Sequence, residues 1–371
     1  MKKKIGITGQ VGFIGTHLAN HIQRVEKEYE LLPFKDNYFT SPAVLKNFIN
    51  RCDVVVHLAA MNRGDEKEIY ECNISLVRKL IEALTDTGSR AHVLFASSTQ
   101  EEGNSLYGRS KREGRELLAK WAKKHGARFT GLIIPNVYGP FCEPFYNSAV
   151  ATFCCQLTHK KKPEIHVDAH MKLIYINHLV KQIDAVIRKG IVHDELRLKP
   201  TGEGKVSDIL ILLEKFKSYY IDDIIIPPLK GGFAVSLFNT FRSYIDSKDI
   251  QREYTVHADK RGSLFETMKS YTHGQSFFSK TRRGITRGNH YHLRKIERFC
   301  VVNGNAEIKL RRIGTKKVLT FKATGKHPSF IDIPVFFTHN ITNSGKKPLH
   351  TLFWTNEIFD PKDPDMYYEE V

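Results

Sequence analysis

The sequence predicts two domains of different class: an α/β domain on a doubly wound parallel sheet, then an all-β barrel. Three observations carry this. A glycine-rich turn follows a short apolar run at the start of the chain, in KIGITGQVGFIGTHL at 4–18. Apolar strands of the fully buried type then alternate with helical stretches up to residue 246. After residue 253 the periodicity changes, and the stretch GITRGNHYHLRKIERFCVVNG at 284–304 sets two histidines and a glutamate at close spacing. With 371 residues, the chain is long enough to bury two cores. The polar stretch 247–253 marks the expected linker, giving domains at 1–246 and 254–371.

The first strand runs through Ile5, Gly6 and Ile7 into Thr8-Gly9-Gln10-Val11-Gly12-Phe13-Ile14-Gly15. Glycines at this spacing between a strand and a helix allow a tight turn, a close backbone approach to a pyrophosphate and tight helix packing. The helix N-terminus then faces the negative charge. A further strand is expected at Asp53-Val54-Val55-Val56-His57-Leu58-Ala59-Ala60 and another at His92-Val93-Leu94-Phe95-Ala96-Ser97-Ser98. Strands alternating with helices in this way give a Rossmann-type sheet. Ser98 ends the latter strand, and Tyr107 and Lys111 follow, four residues apart and so on one helix face. An ammonium beside a phenol favours phenolate, so Lys111 is expected to lower the pKa of Tyr107 and let it exchange a proton near neutral pH.

These features resemble the extended short-chain dehydrogenase/reductases that act on nucleotide sugars. The resemblance covers about residues 3–246 and includes HLAA at 57–60 and PNVYGP at 135–140. It implies a nicotinamide cofactor held by Gly9, Gly12, Phe13, Ile14, Gly15, Lys35, Leu58, Ala59, Tyr107 and Lys111. It implies catalysis by Ser98, Tyr107 and Lys111, with substrate contacts from Asn136 and Asn147. Two departures stand out: the Ser98-to-Tyr107 gap is short, and Ile133 and Ile134 stand near the place of an arginine usual before PNVYGP. In Leu31-Leu32-Pro33-Phe34-Lys35-Asp36-Asn37 an acid would bind a ribose 2′-hydroxyl and a cation a 2′-phosphate, and here Lys35 and Asp36 point opposite ways.

In the second half, His290 and His292 alternate along a strand and so face the same side, with Glu297 expected to return from the neighbouring strand to meet them. His339, in IDIPVFFTHNITN, supplies a fourth candidate ligand from a later strand. Imidazoles and a carboxylate converging in this way suit a divalent transition metal. The run from Gly284 through His290, His292 and Glu297 to Gly304 resembles the first motif of the cupin β-barrels. Pro334, His339 and Asn343 fit the second motif, while Phe336 stands where that motif has glycine.

Taken whole, the chain resembles the bifunctional reductase/cupin enzymes of bacterial capsule and O-antigen synthesis. ATFC at 151–154, RGNHYH at 287–292 and the ending NEIFDPKDPDMYYEEV carry that likeness. It implies NADPH and Zn2+ as cofactors, and as substrate UDP-2-acetamido-2,6-dideoxy-L-hexos-4-ulose. The barrel would invert C3 and the first domain would reduce the C4 ketone, giving the L-talose sugar on the route to UDP-N-acetyl-L-fucosamine. The same motifs leave open an L-quinovosamine or L-rhamnosamine outcome, and a non-catalytic sugar-nucleotide-binding regulator, which the intact Ser98, Tyr107 and Lys111 argue against.

Composition sets further expectations. No apolar run approaches the ~18 residues of a membrane span, and the first strand begins at once, leaving no room for a signal peptide. Six cysteines without C-x-x-C pairs read as buried thiols of a reducing compartment, so a soluble, cytoplasmic protein is expected, and separately a homodimer. The net charge of +17 concentrates between Lys280 and Lys326, where fourteen lysines and arginines face only Glu297 and Glu307. Such a field attracts polyanions, UDP-sugars and NADPH among them. No nucleic-acid-binding motif accompanies it, so nucleic acid is not an expected partner.

Overall fold

The structure, a computed structural model, describes residues 2–246, 249, 255–271, 274–292, 295, 297–313, 315–327, 329–334 and 337–371. Phe336 and the expected linker, apart from Asp249, lie outside the described residues. Two compact units emerge: residues up to Glu214 with Lys230–Ile245, and Lys215–Leu229 with Asp246–Val371. The segment 215–229 therefore groups with the C-terminal unit rather than with the first domain of the sequence reading. Its Ile226 forms a bridge with Ser270, its amide donating to the Lys269 carbonyl at 2.9 Å.

In the first unit, strands β1 (Lys3–Thr8), β2 (Tyr29–Leu32), β3 (Val54–His57), β4 (His92–Ser98) and β5 (Phe129–Ile134) make a six-stranded sheet with His193–Arg197 at its edge. The order is β2-β1-β3-β4-β5 and then that edge strand, and every pairing is parallel. Parallel strands need crossover helices that cover both sheet faces, so their residues are buried on both sides. All four residues of β3 and the last four of β1 are buried. Leu32, Phe48, Ile49, Val55, Leu80, Val93, Leu118 and Phe129 belong to one core cluster, which joins sheet and helices. A smaller sheet of Asn136–Tyr138, His170–Tyr175 and Gly202–Lys205 lies in the same unit.

The second unit contains two antiparallel sheets. One runs 257–259, 262–270, 274–281, 349–355, 297–303, 330–333, and the other 318–324, 305–312, 337–343, 286–291, 367–368. Their inward residues, among them Phe299, Val301, Ile308, Leu310, Ile341 and Leu349, form one apolar core. Alternation along each strand keeps one face apolar and frees the other for polar side chains. This is the cupin-type barrel that the sequence predicts.

Candidate active site and metal centre

The first site forms where the strands of the parallel sheet end. Gly9 takes a positive φ of 69°, and Gly12 precedes the helix Phe13–Arg24 as its N-cap. A Cβ on Gly15 would stand 2.1 Å from the Gly9 carbonyl, so the helix packs against the turn at a distance only glycine allows. The first amides of a helix have no partners within it and point outward, which suits the diphosphate of a dinucleotide.

A cavity of about 1050 Å³ opens beside this turn. Its walls include Gly9, Gly12, Phe13, Ile14 and Gly15, then Leu58 and Ala59, then Ser98, Tyr107 and Lys111, and finally Asn136 and Asn147. The predicted cofactor, catalytic and substrate residues thus meet in one space, with a single exception. Lys35 does not line the cavity, whereas Asp36 does. Lys35 precedes the short 3-10 helix Asp36–Thr40, and it is the first residue of that helix that reaches the wall.

Ser98, at the end of β4, accepts a hydrogen bond from the Gln100 amide at 3.2 Å, which leaves its own hydroxyl proton free to donate. Tyr107 and Lys111 lie on the helix Leu106–His125, which Ser105 caps by accepting from the Gly108 amide at 3.1 Å. The Lys111 ammonium stands 5.7 Å from the centre of the Tyr107 ring and donates to the Ala96 carbonyl at 3.1 Å. Burial pushes Lys111 down to about 8. The expected lowering of Tyr107 does not occur: burial, reinforced by the nearby Tyr146, pushes its phenol up to about 12. Desolvation outweighs the ammonium here, and the residue stands as a neutral proton donor.

Two supporting contacts had no signal in the spacing. Asn73, buried on the helix Glu66–Asp86, donates to Ser110 Oγ and to the Met61 carbonyl, each at 3.1 Å, and so ties the helix of Tyr107 and Lys111 to the cavity wall. His57 is fully buried beside Thr8, with Oγ1 and Nδ1 2.7 Å apart, and burial, reinforced by Lys111, pushes it down to about 3.

The second site lies inside the barrel. His290, His292, Glu297 and His339 offer ligand atoms all within 4.8 Å of one another. His290 and His339 pair directly across strands 286–291 and 337–343. A bulge between Gly288 and His290 places Asn289 in the left-handed region at φ 63° and turns the His290 side chain toward the group. Asn340 donates to Asn289 at 2.8 Å and holds that bulge. Glu297 does not come from a neighbouring strand of the same sheet, as the spacing predicts. Its strand, Glu297–Asn303, belongs to the facing sheet, so the ligand group joins the two sheets.

The chemistry of this group fits a divalent cation. His292 and His339 commit Nδ1 to the backbone carbonyls of Asp365 and Phe337, the latter at 3.1 Å, and turn Nε2 inward. Each Nε2 therefore faces Glu297 Oε2, at 3.4 Å and 3.0 Å, where it can carry a proton to the carboxylate or, once that proton leaves, offer a lone pair to a metal. Those three inward atoms are buried and have no well-directed hydrogen bond among the described residues. Burial opposes the Glu297 charge, yet His292 and His339 hold its carboxyl below the usual range. Burial pushes His290 down to about 4, which keeps it neutral and able to ligate. A neutral-nitrogen and carboxylate set is a donor set for zinc or another first-row metal.

The sequence reading missed the part played by the C-terminal tail. Besides its carbonyl bond to His292, Asp365 accepts from the Lys295 amide at 2.9 Å, and the Lys295 ammonium donates to the Pro364 carbonyl at 2.6 Å. Tyr367–Tyr368 then pairs with the strand of His290. In sequence the ending NEIFDPKDPDMYYEEV carries the likeness to the reductase/cupin enzymes, but nothing in it assigns these residues a part in the site.

A model of the NAD dependent epimerase/dehydratase family matches residues 5–196, and one of the polysaccharide biosynthesis C-terminal domain matches 257–367. The chain is 30% identical over 370 residues, 98% of each protein, to a UDP-2-acetamido-2,6-beta-L-arabino-hexul-4-ose reductase of Pseudomonas aeruginosa. It superposes on the capsular polysaccharide assembling protein CapF of Staphylococcus aureus with a TM-score of 0.87, at 31% identity, over 99% of this chain and 100% of that one. A UDP-glucose 4-epimerase of Thermotoga maritima, 19% identical, shares the fold over 65% of this chain and 98% of its own, with a TM-score of 0.56.

Proposed function

The chain belongs to the NAD dependent epimerase/dehydratase family, and from that membership we propose that it is a bifunctional UDP-sugar enzyme of polysaccharide synthesis. Its substrate is UDP-2-acetamido-2,6-dideoxy-L-hexos-4-ulose. The barrel inverts C3, and the first unit reduces the C4 ketone with NADPH to give the L-talose product. The whole-length likeness to the Pseudomonas reductase supports the substrate class. The observation that carries the reading is the meeting of Ser98, Tyr107 and Lys111 with the glycine-rich turn in one cavity. That cavity is about 1050 Å³, at the top of the ~300–1,000 Å³ range of small-ligand sites, as two large ligands require.

Bound there, a reduced nicotinamide supplies a hydride to C4. The protein's own groups do the rest. Tyr107 donates its proton to the C4 oxygen as negative charge develops there, and a protonated phenol is what a buried Tyr107 offers. Ser98 donates its free hydroxyl proton to the same oxygen and fixes its direction. Lys111 has further donors beyond the bond to Ala96 with which to hold the cofactor ribose. In the barrel, His290, His292, Glu297 and His339 would hold zinc, whose charge stabilises an enolate formed next to a carbonyl.

Asp36 on the cavity wall, with Lys35 off it, favours a second reading in which NADH also serves. Proton NMR of the product, formed from the 4-keto UDP-sugar with NADPH or NADH, tests both. An L-talose product with faster turnover on NADPH is expected. No nicotinamide oxidation with either would overturn the proposal. We further infer a cytoplasmic homodimer. Phe330 and Leu352, 58% and 40% exposed, both pair with Cys300 on one outer sheet face, and with the Arg298 guanidinium 4.0 Å over the Phe330 ring they make a mixed surface that a second copy would cover.

A further inference from the structure

The short connection from Ser98 to Tyr107 is filled by one turn and one buried ion pair that the chemistry above does not use. The chain leaves β4 at Ser98, turns through Thr99–Glu102 and enters the catalytic helix at Leu106. A Cβ on Gly108 would stand 2.1 Å from the Gln100 carbonyl, so turn and helix touch backbone to backbone. Glu101 and Arg115 are 4% and 5% exposed. Arg115 follows Tyr107 and Lys111 at four-residue intervals and shares their helix face. Its Nε donates to Glu101 Oε1 and Oε2 at 3.2 and 3.1 Å, and its Nη2 donates to Oε1 at 3.0 Å. Glu101 Oε2 also accepts from Ser97 Oγ. From the other side, Arg115 Nη2 lies 3.0 Å from Glu195 Oε1 on the edge strand His193–Arg197.

We propose that Glu101 and Arg115 are a positioning pair that sets Ser98 against Tyr107. Ser97 is tied through the carboxylate to the third residue of the catalytic helix face. The strand end carrying Ser98 and the helix face carrying Tyr107 and Lys111 are thereby held as one body. Neither Glu101 nor Arg115 lines the cavity, so they act through Ser97 and the helix and not on substrate. The physical reason for such a pair is direction rather than strength. Desolvation offsets much of the attraction in a buried pair, so it adds little stability. A guanidinium fork on a carboxylate, by contrast, fixes two planes against each other. A lysine at 115 keeps the charge and loses the fork.

The inference rests on reading the cavity as the reductase site. The test compares the full-length wild type with R115K and with the double variant E101M/R115M. It measures NADPH affinity by fluorescence, melting temperature, and kcat and KM for the 4-keto UDP-sugar. We expect both variants to keep NADPH affinity within about twofold and melt close to wild type, while kcat falls at least about tenfold with KM little changed, since small misplacements of reacting groups cost ~10²-fold. Wild-type kcat in a folded E101M/R115M would overturn the proposal. So would a double variant that fails to fold, because the pair would then be a structural bolt, or a loss carried in KM alone. A wild type that does not oxidise NADPH with this sugar would instead remove the reductase reading itself, which separates the two failures.

Discussion

Tyr107 and Lys111 sit one helical turn apart, and burial moves them in opposite senses, the phenol up to about 12 and the ammonium down to about 8. Each shift favours the neutral form. For Lys111 the sign follows directly. An unfolded lysine titrates near ~10.4, so between about 8 and that value the unfolded chain holds a proton that the folded one lacks. The buried charge opposes folding below about 8, and the residue's contribution to stability improves as pH rises through that window. The kinetic consequence is that the reductase rate holds to about pH 8 and declines above it as Lys111 loses its charge. A pH–rate profile flat through the alkaline range would contradict this. Replacing Tyr107 with Phe should leave NADPH binding nearly intact and lower C4 reduction by roughly 10²-fold, about 2.7 kcal/mol of barrel-independent transition-state stabilisation. Isothermal titration and single-turnover rates check both halves. That Tyr107 and Lys111 share one helix face was legible in the sequence because helical spacing fixes which side chains lie together. Their protonation was not, because desolvation depends on what the rest of the chain packs around them.

The elements show a similar division. The parallel strands and the glycine turn could be read because burial on both faces leaves continuous apolar runs such as Val54-Val55-Val56. The placement of Glu297 on the facing sheet could not, since spacing along the chain does not tell which sheet the next strand joins. The tail was the least legible element. It donates no ligand, yet the Asp365 carbonyl fixes the tautomer of His292, and Thr338, beside His339, donates to the Glu369 carbonyl. Partners of this kind set ligand orientation, and their loss costs ~10–100-fold in metal affinity. Deleting residues 364–371 should therefore weaken zinc binding by about that factor and lower the melting temperature of the barrel. Competition against a chromophoric chelator measures the first and calorimetry the second. Unchanged zinc affinity in the shortened chain would show that the tail merely covers the site.

On the scale of the molecule, no helix among the described residues is long and apolar enough to cross a membrane. The net charge of +17 gives the protein a field that draws in polyanions, so capture of a UDP-sugar should slow as salt rises while kcat stays constant. The proposed function gives the two units different chemistry, and each activity should be separable without cutting the chain. His290→Ala should release the metal and end C3 inversion while NADPH still binds, whereas Tyr107→Phe should spare exchange at C3. Elemental analysis and exchange rates at C3 distinguish the two variants. The most direct single measurement is the proton NMR spectrum of the product formed by the wild type from the 4-keto UDP-sugar and NADPH in D2O. The account predicts deuterium at C3 with inverted configuration and hydrogen at C4, delivered from the cofactor. Hydrogen retained at C3 in its original configuration, or a C4 ketone left unreduced, would contradict it.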